Sequence, residues 1–257
     1  MNLNDCFKTG ILNPRVIVLE TIESTSTEAK HLLTQGETEG LIILARTQTG
    51  GRGRKNRRWL SPKGGLYFSI ILEPRLGDEN TPLLGLLCAC AVRRALFSLG
   101  VNVQVKWPND ILVDAKKIAG ILSEAVSIDN RTVGIVMGIG VNQNCPVSEM
   151  TELEWPTTSV IDEIGKKTSN ESLLCDIVNE IDMLLQIVET NSSFSAVLEE
   201  WRKTSSTLGA SVEIHEEDKI TIGIARDISE DGALLVETEN GLLRVIRGDV
   251  NHIRSIE

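Results

Sequence analysis

The sequence predicts an α+β protein in which a mixed β-sheet with flanking helices is followed by a small C-terminal β-barrel. Two continuous apolar runs, 41–45 and 66–72, are typical of buried strands. Residues 81–99 form a long apolar stretch that ends at Gly100, as expected for a helix and its stop signal. After Leu208 only short β-type runs remain. We therefore expect two domains, 1–207 and 208–257.

Strands and helices are expected to alternate along the first domain. The expected strands are 16–19, 41–45, 66–72, 101–105, 118–126 and 133–139, and the expected helices are 26–33, 81–99, 172–188 and 193–203. The second domain has strand patterns at 212–214, 220–225, 234–236 and 242–246. The dipeptides Asp231-Gly232 and Asn240-Gly241 lie between them, and such pairs are strong hairpin signals.

Composition excludes several classes of protein. With 41% hydrophobic and 24% charged residues, the chain is ordinary for a globular protein, so large-scale disorder is not expected. The net charge of -10 argues against a dedicated DNA-binding protein, which would show a basic domain. The longest apolar run, 83–92, is too short to cross a bilayer, which takes about 20 residues. We expect no DNA partner and no membrane partner.

The cysteines and the N-terminus predict a reduced, cytoplasmic protein. There are five cysteines, an odd number, and they form no C-x-x-C pair. Neither a disulfide framework nor a cysteine-rich zinc site is therefore expected. The first eight residues include polar ones where a signal peptide would need a continuous apolar run.

The segment 50–59, G-G-R-G-R-K-N-R-R-W, carries five cations and three glycines. Glycines let backbone amides approach a ligand closely, and guanidinium groups bind oxyanions through two parallel hydrogen bonds. We therefore expect a mobile loop that binds phosphate. A solvated basic loop and a nucleic-acid patch are the alternatives. Neither a Walker P-loop nor a dinucleotide-binding fingerprint occurs here.

Four further motifs end or begin predicted elements. Ser24-Thr25-Ser26 precedes the first helix, where an N-cap cluster is a sufficient structural reason. K-W-P-N-D (106–110) predicts a turn that presents a cation, an amide and a carboxylate. K-K-I-A-G-I-L (116–122) places a lysine beside small residues, and G-I-G-V-N (138–142) ends a strand with glycines. Each of the last three also fits a purely structural reading.

Together, five motifs resemble those of the biotin–protein ligases: E-S-T-S, Q-T-G-G-R-G-R-K-N-R-R-W, K-W-P-N-D-I, K-K-I-A-G-I-L and G-I-G-V-N. They stand in that family's order and spacing, and the resemblance runs from about Val16 to the end. It implies a catalytic domain related to class II aminoacyl-tRNA synthetases and a Src-homology-3-like barrel. Because the pattern begins near Val16, the short class without an N-terminal DNA-binding domain is expected.

The resemblance also implies the reaction: biotin and ATP would form biotinyl-adenylate, and biotin would then pass to a lysine of a biotin carboxyl carrier protein or domain. Magnesium would arrive with ATP, near Asp110, and no certain protein metal ligand is expected. A homodimer is an open possibility for the assembly. The alternatives are a lipoate or octanoate ligase of the same fold and a non-catalytic anion- or nucleic-acid-binding protein.

Site residues follow from the same resemblance. The expected catalytic residues are Lys117, Arg54 and Arg57, with the spacing to Gly120 favouring Lys117 over Lys116. The residues expected to bind biotin are Ser24, Thr25, Ser26, Gln48, Gly51, Arg52, Gly53, Arg54, Lys117 and Gly120. Those expected to bind ATP are Arg54, Arg57, Trp59, Lys106, Asn109, Asp110, Lys117 and Asn142.

Overall fold

A computed structural model describes residues 3, 6–151, 153, 155–216, 219–246 and 249–253. The helices are α1 (Thr25–Thr34), α2 (Thr81–Ser98), α3 (Val160–Ile164), α4 (Asn170–Asn191) and α5 (Ser195–Thr204). The first seven strands are β1 (Arg15–Ile22), β2 (Leu41–Gln48), β3 (Leu66–Leu72), β4 (Gln104–Lys106), β5 (Asp110–Val113), β6 (Lys116–Ile128) and β7 (Arg131–Val141). The last five are β8 (Ser211–Glu216), β9 (Lys219–Ile228), β10 (Leu234–Thr238), β11 (Gly241–Val245) and β12 (Asp249–His252).

The first seven strands form one mixed sheet in the order β1-β2-β3-β7-β6-β5-β4. Only the β1–β2 pair is parallel. Alternate residues of β2 point to opposite faces, so Ile42 and Leu44 pack into the large core with α2, α4 and α5. Leu41 and Ile43 pack under α1 on the other face. Both faces of the sheet are thus covered, which explains the continuous apolar runs of β2 and β3.

Helix α2 is the central helix of the large core. Its region is long and apolar enough to cross a membrane by length and composition, but 67% of that window is buried within the fold. Its leucines and small residues from Leu83 to Leu96 are packed against the sheet and α4. The apolar composition of α2 is therefore explained by its place in the core.

The last five strands form an antiparallel sheet in the order β11-β10-β9-β8-β12. Its two expected hairpins are present, with Gly232 (φ 81°) between β9 and β10 and Gly241 (φ 103°) after β10. These positive φ values are the reason that glycine follows Asp231 and Asn240. Within the described residues β11 and β12 are not paired with each other, so the expected barrel is an open sheet there.

Three elements were not expected from the sequence, and one expected strand begins later than predicted. Strands β5 and β12 and the short helix α3 were not expected, and β4 begins at Gln104 rather than at Val101. The pairing with β5 begins only at Gln104↔Leu112, which is why residues 101–103 lie outside the strand. Elements of three to five residues carry too few positions for a periodic pattern, so tertiary pairing decides them.

The expectation of a fully reduced chain is wrong for one pair of cysteines. Cys6 and Cys175 are joined by a disulfide, with their Cα atoms 5.9 Å apart. Their sequence separation of 169 residues gives no local signal for this pairing. Cys88, Cys90 and Cys145 are free and buried, and burial raises the pKa of the Cys88 thiol to about 12.

The same N-terminal segment is held to α4 by a buried carboxylate. Asp182 accepts backbone N–H groups from Gly10, Ile11 and Leu12 at 2.8, 2.9 and 2.6 Å. Burial alone would raise the pKa of Asp182, but these hydrogen bonds and one from Gln186 outweigh it and lower the pKa. The carboxylate thereby fixes the chain just before β1 begins.

We expect Asp182→Ala to destabilise the protein by about 2–3 kcal/mol, because three backbone donors, of which that of Leu12 is buried, lose their acceptor. Since the folded state lowers the carboxyl pKa, the stabilisation is present at neutral pH and is lost as the pH falls below about 4. Urea denaturation at pH 7 and at acid pH measures both effects. Asp176→Ala, on the same helix, is the control, since burial and Glu180 raise the pKa of that carboxyl. Equal losses in the two variants would contradict the assignment.

Candidate active site

A cavity of about 550 Å³ opens on the sheet face beside the N-terminus of α1. That volume is within the range of small-molecule sites. Its walls come from the start of α1, the loop after β2, the turn between β4 and β5, strands β6 and β7, residues 150, 153 and 155–157, and strand β12. Every residue expected at the site lines this cavity except Gly51.

The hydroxyl groups at the start of α1 form one end of the cavity. Ser24 is the N-cap of α1 and accepts the N–H of Thr27. The hydroxyl of Ser69, in the middle of β3, lies 2.8 Å from Thr25 Oγ1 and 3.0 Å from Ser26 Oγ. Gln48 Oε1 accepts both the N–H and the hydroxyl of Thr25. The three α1 residues are buried, so this end of the cavity is a fixed polar network rather than a flexible cap.

The floor of the cavity is bare backbone at three glycines. Gly120 and Gly140 face each other in the β6–β7 register. A Cβ on Gly140 would lie 2.6 Å from the Trp59 indole, and one on Gly138 would lie 2.5 Å from Ser26 Oγ. Side chains at these positions would collide with the walls, which is the physical reason for glycine here.

Trp59 packs over this floor at the end of the arginine–glycine loop. Its ring lies against Gly120 and Gly140, and Lys117 Nζ is 5.3 Å from the ring centroid. The indole therefore forms one wall of the cavity. Its expected place beside an adenine stays a prediction.

The loop itself folds back as a narrow hairpin. Gly53 N–H donates to Arg57 O at 2.7 Å, and Trp59 N–H donates to Gly51 O at 2.9 Å. A Cβ on Gly51 would lie 2.5 Å from Trp59 O, so Gly51 is needed for this close approach and not for the cavity wall. The guanidinium of Arg52 pairs with Glu23 at 2.9 Å. The hairpin holds Arg52, Arg54 and Arg57 at the rim of the cavity.

Lys117 and Asp110 meet inside the cavity. Lys117 Nζ lies 2.6 Å from Asp110 Oδ1, across the β5–β6 pair. The Lys117 backbone is fixed by its N–H to Pro156 O (2.8 Å) and by Thr158 N–H to its own carbonyl (3.0 Å). Lys116 is exposed and does not line the cavity. The structure thus places Lys117, and not its neighbour, beside the other site residues.

The asparagines expected at the nucleotide end are held by backbone carbonyls. Asn109 Nδ2 donates to Ile121 O at 2.6 Å, and Ile121 N–H donates back to Asn109 O. Asn142 Nδ2 donates to Thr158 O at 3.1 Å, and the residue is buried. Both side chains therefore fix the strands around the cavity as well as lining it.

Two lining segments and two serines were not expected from the sequence. Met150, Leu153 and Trp155 line the cavity beside the arginine loop, and Arg57 lies over the Trp155 ring at 5.5 Å. Val250, Asn251 and His252 of β12 line the far end. Ser61 and Ser69 complete the hydroxyl network. In the sequence, Trp155 beside Pro156 was the only feature that could have indicated this part of the site. The other residues are brought to the cavity by folding alone.

The cavity is strongly cationic in an acidic chain. Among the described lining residues Asp110 is the only carboxylate, whereas six are cationic: Arg52, Arg54, Arg57, Arg58, Lys106 and Lys117. The chain as a whole has a net charge of -10. Such a concentration of one sign in a cleft attracts anions. No cluster of three potential metal-binding side chains occurs among the residues that the structure describes.

Comparison with known proteins gives the family of this chain. The model of the biotin/lipoate A/B protein ligase family matches residues 18–142, and that of the biotin protein ligase C terminal domain matches residues 207–252. The bifunctional ligase/repressor BirA of Bacillus spizizenii is 30% identical over 246 residues, which cover 95% of this chain and 75% of that protein. The biotin–[acetyl-CoA-carboxylase] ligase of Paracoccus denitrificans is 29% identical, covering 87% and 95%.

A solved structure agrees with these matches. The biotin protein ligase of Aquifex aeolicus in complex with biotin and ATP superposes with a TM-score of 0.81 at 30% identity, covering 94% of this chain and 99% of that one. Both sheets and the cavity are thus included in the aligned region. The chain belongs to the biotin/lipoate A/B protein ligase family.

Proposed function

We infer that this protein is a biotin–protein ligase, which activates biotin with ATP and transfers it to a lysine of a carrier protein. The observation that carries this inference is the cavity itself, where buried hydroxyls at one end meet six cations at the other. Two of the relatives described above are biotin ligases, and the Aquifex aeolicus structure holds biotin and ATP.

In the first step a carboxylate oxygen of biotin attacks the α-phosphorus of ATP. A bond forms between them, the bond to the β-phosphate oxygen breaks, and pyrophosphate leaves. In the second step the neutral ε-amine of the acceptor lysine attacks the acyl carbon, and AMP leaves as the amine loses a proton. Because biotin supplies the nucleophile, the protein needs only to align two anions and stabilise charge.

We assign the two ends of the cavity to the two substrates. Ser24, Thr25, Ser26 and Gln48 suit the ureido ring of biotin, because their hydroxyl and amide groups donate and accept in a buried setting. Lys117 lies between this end and the K-W-P-N-D turn, where it would neutralise both the carboxylate and the α-phosphate. Arg54 and Arg57 would close over the phosphates, with Arg52, Gly51 and Gly53 shaping the loop beside biotin.

Trp59, Lys106, Asn109, Asp110 and Asn142 are assigned to the nucleotide. Magnesium fits this arrangement as an ion held mainly by phosphate oxygens and water, because one carboxylate, Asp110, is the only anionic side chain among the described lining residues. When bound, the ion would neutralise phosphate charge. Asp110 already pairs with Lys117, so its carboxylate is in a fixed position before the nucleotide binds.

The remaining parts of the assignment concern the setting of the reaction. The acceptor would be a biotin carboxyl carrier protein or domain, and the division into domains at residues 207 and 208 falls between α5 and β8. Cytoplasmic placement follows from ATP as co-substrate.

Lipoate or octanoate as the acid is the alternative within the family. Pyrophosphate exchange with each of the three acids decides between them, and exchange with lipoate or octanoate alone would overturn the biotin assignment.

The acceptor is proposed to dock along β1. This strand is at the edge of the large sheet and pairs only with β2 among the described residues, with Ile17 and Val18 exposed. An open strand edge offers backbone hydrogen bonds to an incoming strand. A second copy of this chain would use the same edge in a homodimer.

We predict that Lys117→Ala nearly abolishes adenylation, since loss of one preorganised cation costs about 10²–10³ in rate. Biotin-dependent exchange of labelled pyrophosphate into ATP measures this step without the carrier. Lys116→Ala is the matched control, because this neighbouring lysine is exposed and lies outside the cavity. Normal exchange in the Lys117 variant would remove that residue from the mechanism.

We predict that Arg54→Ala releases the adenylate early, because the loop would no longer shield this reactive mixed anhydride from solvent. Released adenylate labels lysines at random, so bystander proteins should become biotinylated in a blot with labelled streptavidin. Arg131→Ala, an exposed arginine away from the cavity, should label as the wild type does. Unchanged labelling and unchanged retention of the intermediate in the Arg54 variant would contradict the role of the loop.

For the docking edge, we predict that Val18→Lys lowers transfer to the carrier by about tenfold, the size of a typical interface contribution, without changing pyrophosphate exchange. Val133→Lys is the control, because Val133 is similarly exposed, 38% against 44%, but lies on β7. Sedimentation of both variants tests the homodimer. If transfer is unaffected by Val18→Lys, the acceptor docks elsewhere.

A further inference from the structure

The tryptophan of the K-W-P-N-D turn is bonded to the C-terminal part of the chain. Trp107 is buried, and its indole Nε1–H donates to Gly232 O, in the β9–β10 hairpin, at 3.0 Å. Its backbone N–H donates to Thr207 Oγ1 at 3.0 Å. Both N–H groups of Trp107 therefore donate to residues that follow α5 in the chain.

Thr207 lies in the segment that joins α5 to β8. It is fully buried, and its hydroxyl also lies 3.3 Å from His252 Nε2, on β12. The neighbouring Ser206 donates its N–H to Val105 O at 2.8 Å, so this segment runs beside β4. One hydroxyl thus touches both the turn between β4 and β5 and the last strand of the small sheet.

The hydrogen bonds of this hydroxyl can be assigned from its neighbours. Burial, followed by the charge of Lys106, lowers the pKa of His252 to about 4, so the ring is neutral at pH 7. A neutral ring has one nitrogen that accepts. Thr207 Oγ1 accepts from Trp107, and its own hydrogen is available to His252 Nε2, 3.3 Å away, in the tautomer that leaves this nitrogen unprotonated.

The opposite end of the turn reaches Lys117. Asn109 is tied to Ile121 by two hydrogen bonds, and Asp110 pairs with Lys117 at 2.6 Å. The turn that carries Lys106, Asn109 and Asp110 is therefore held at one end by β6 and at the other by Thr207 and Gly232. Its position relative to Lys117 depends on both anchors.

We propose that Thr207 is a positioning residue for the nucleotide, which fixes the Lys106–Asp110 turn through Trp107 and joins it to His252 of the small sheet. The residue does not line the cavity, so it acts through the groups that it contacts: Trp107 of the turn, and His252, which does line the cavity. This proposal rests on the proposed function, since it concerns ATP in the adenylation step. The proposal concerns ATP alone, and residues 24–26 at the hydroxyl end of the cavity are not expected to be affected.

The test compares Thr207→Val with Thr207→Ser. Valine keeps the shape but removes the hydroxyl, and we expect the KM for ATP in biotin-dependent pyrophosphate exchange to rise about tenfold, as for one buried hydrogen bond with an unsatisfied partner. Biotin binding, measured without ATP by titration calorimetry, should not change. Serine keeps the hydroxyl and should restore the KM. Thr204→Val is the matched control, because its hydroxyl donates to Glu200 O within the α5 region and does not reach the turn.

An unchanged KM for ATP in Thr207→Val, or equal losses in ATP and biotin affinity, would overturn the proposal. If that variant does not fold, His252→Phe decides the question, since it removes the acceptor but keeps a ring; an unchanged KM for ATP there would also overturn it. Absence of exchange with biotin in the wild type would instead contradict the proposed function. Direct binding of ATP to the same variants then decides whether Thr207 positions the turn.

Discussion

The concentration of positive charge around one cavity is the constraint on which the rest of the site depends. Two unit charges at roughly 7 Å repel by about 2 kcal/mol at an effective dielectric constant near 20, and six cations line this space. Asp110 offsets one of them within the cavity, and Glu23 offsets another at the rim. An anionic ligand in the cavity would add a partner to these cations, so ligand binding and charge neutralisation come from the same contact.

The large sheet forms a rigid floor for the cavity, whereas the arginine hairpin at its rim is exposed. Strands β6 and β7 are paired along most of their length and include the Gly120–Gly140 pair, so the floor is backbone that cannot move aside. Lys117 is the second residue of β6, and its N–H and C=O are bonded to Pro156 and Thr158. The arginine hairpin, by contrast, is held at its base by a few backbone hydrogen bonds and is largely exposed. Strands thus place two of the cations, Lys106 and Lys117, and the loop carries the four arginines.

The sequence predicted most of the large elements, because the β2, β3 and α2 patterns are set by burial on known faces of the sheet. It also predicted nearly all of the cavity wall that comes from glycine-rich or charged motifs. It missed Ser69, which is a polar residue within an otherwise apolar strand and is explained only by the hydroxyls of Thr25 and Ser26 that meet it. The disulfide of Cys6 and Cys175 and the wall formed by β12 were missed for the same reason, since both depend on contacts between distant parts of the chain.

The contacts of Trp107 cross the boundary between the two sequence domains of this fold. The family models treat residues 18–142 and 207–252 as separate units, and the sheets are separate in hydrogen bonding. Yet Trp107, at the centre of a motif in the first unit, gives both its N–H groups to the second. Tryptophan is buried where its N–H has a partner, and here that partner, Gly232 O, belongs to the small sheet. The motif that we assign to the nucleotide therefore depends on the second unit for its local structure, so the small sheet belongs to the proposed site.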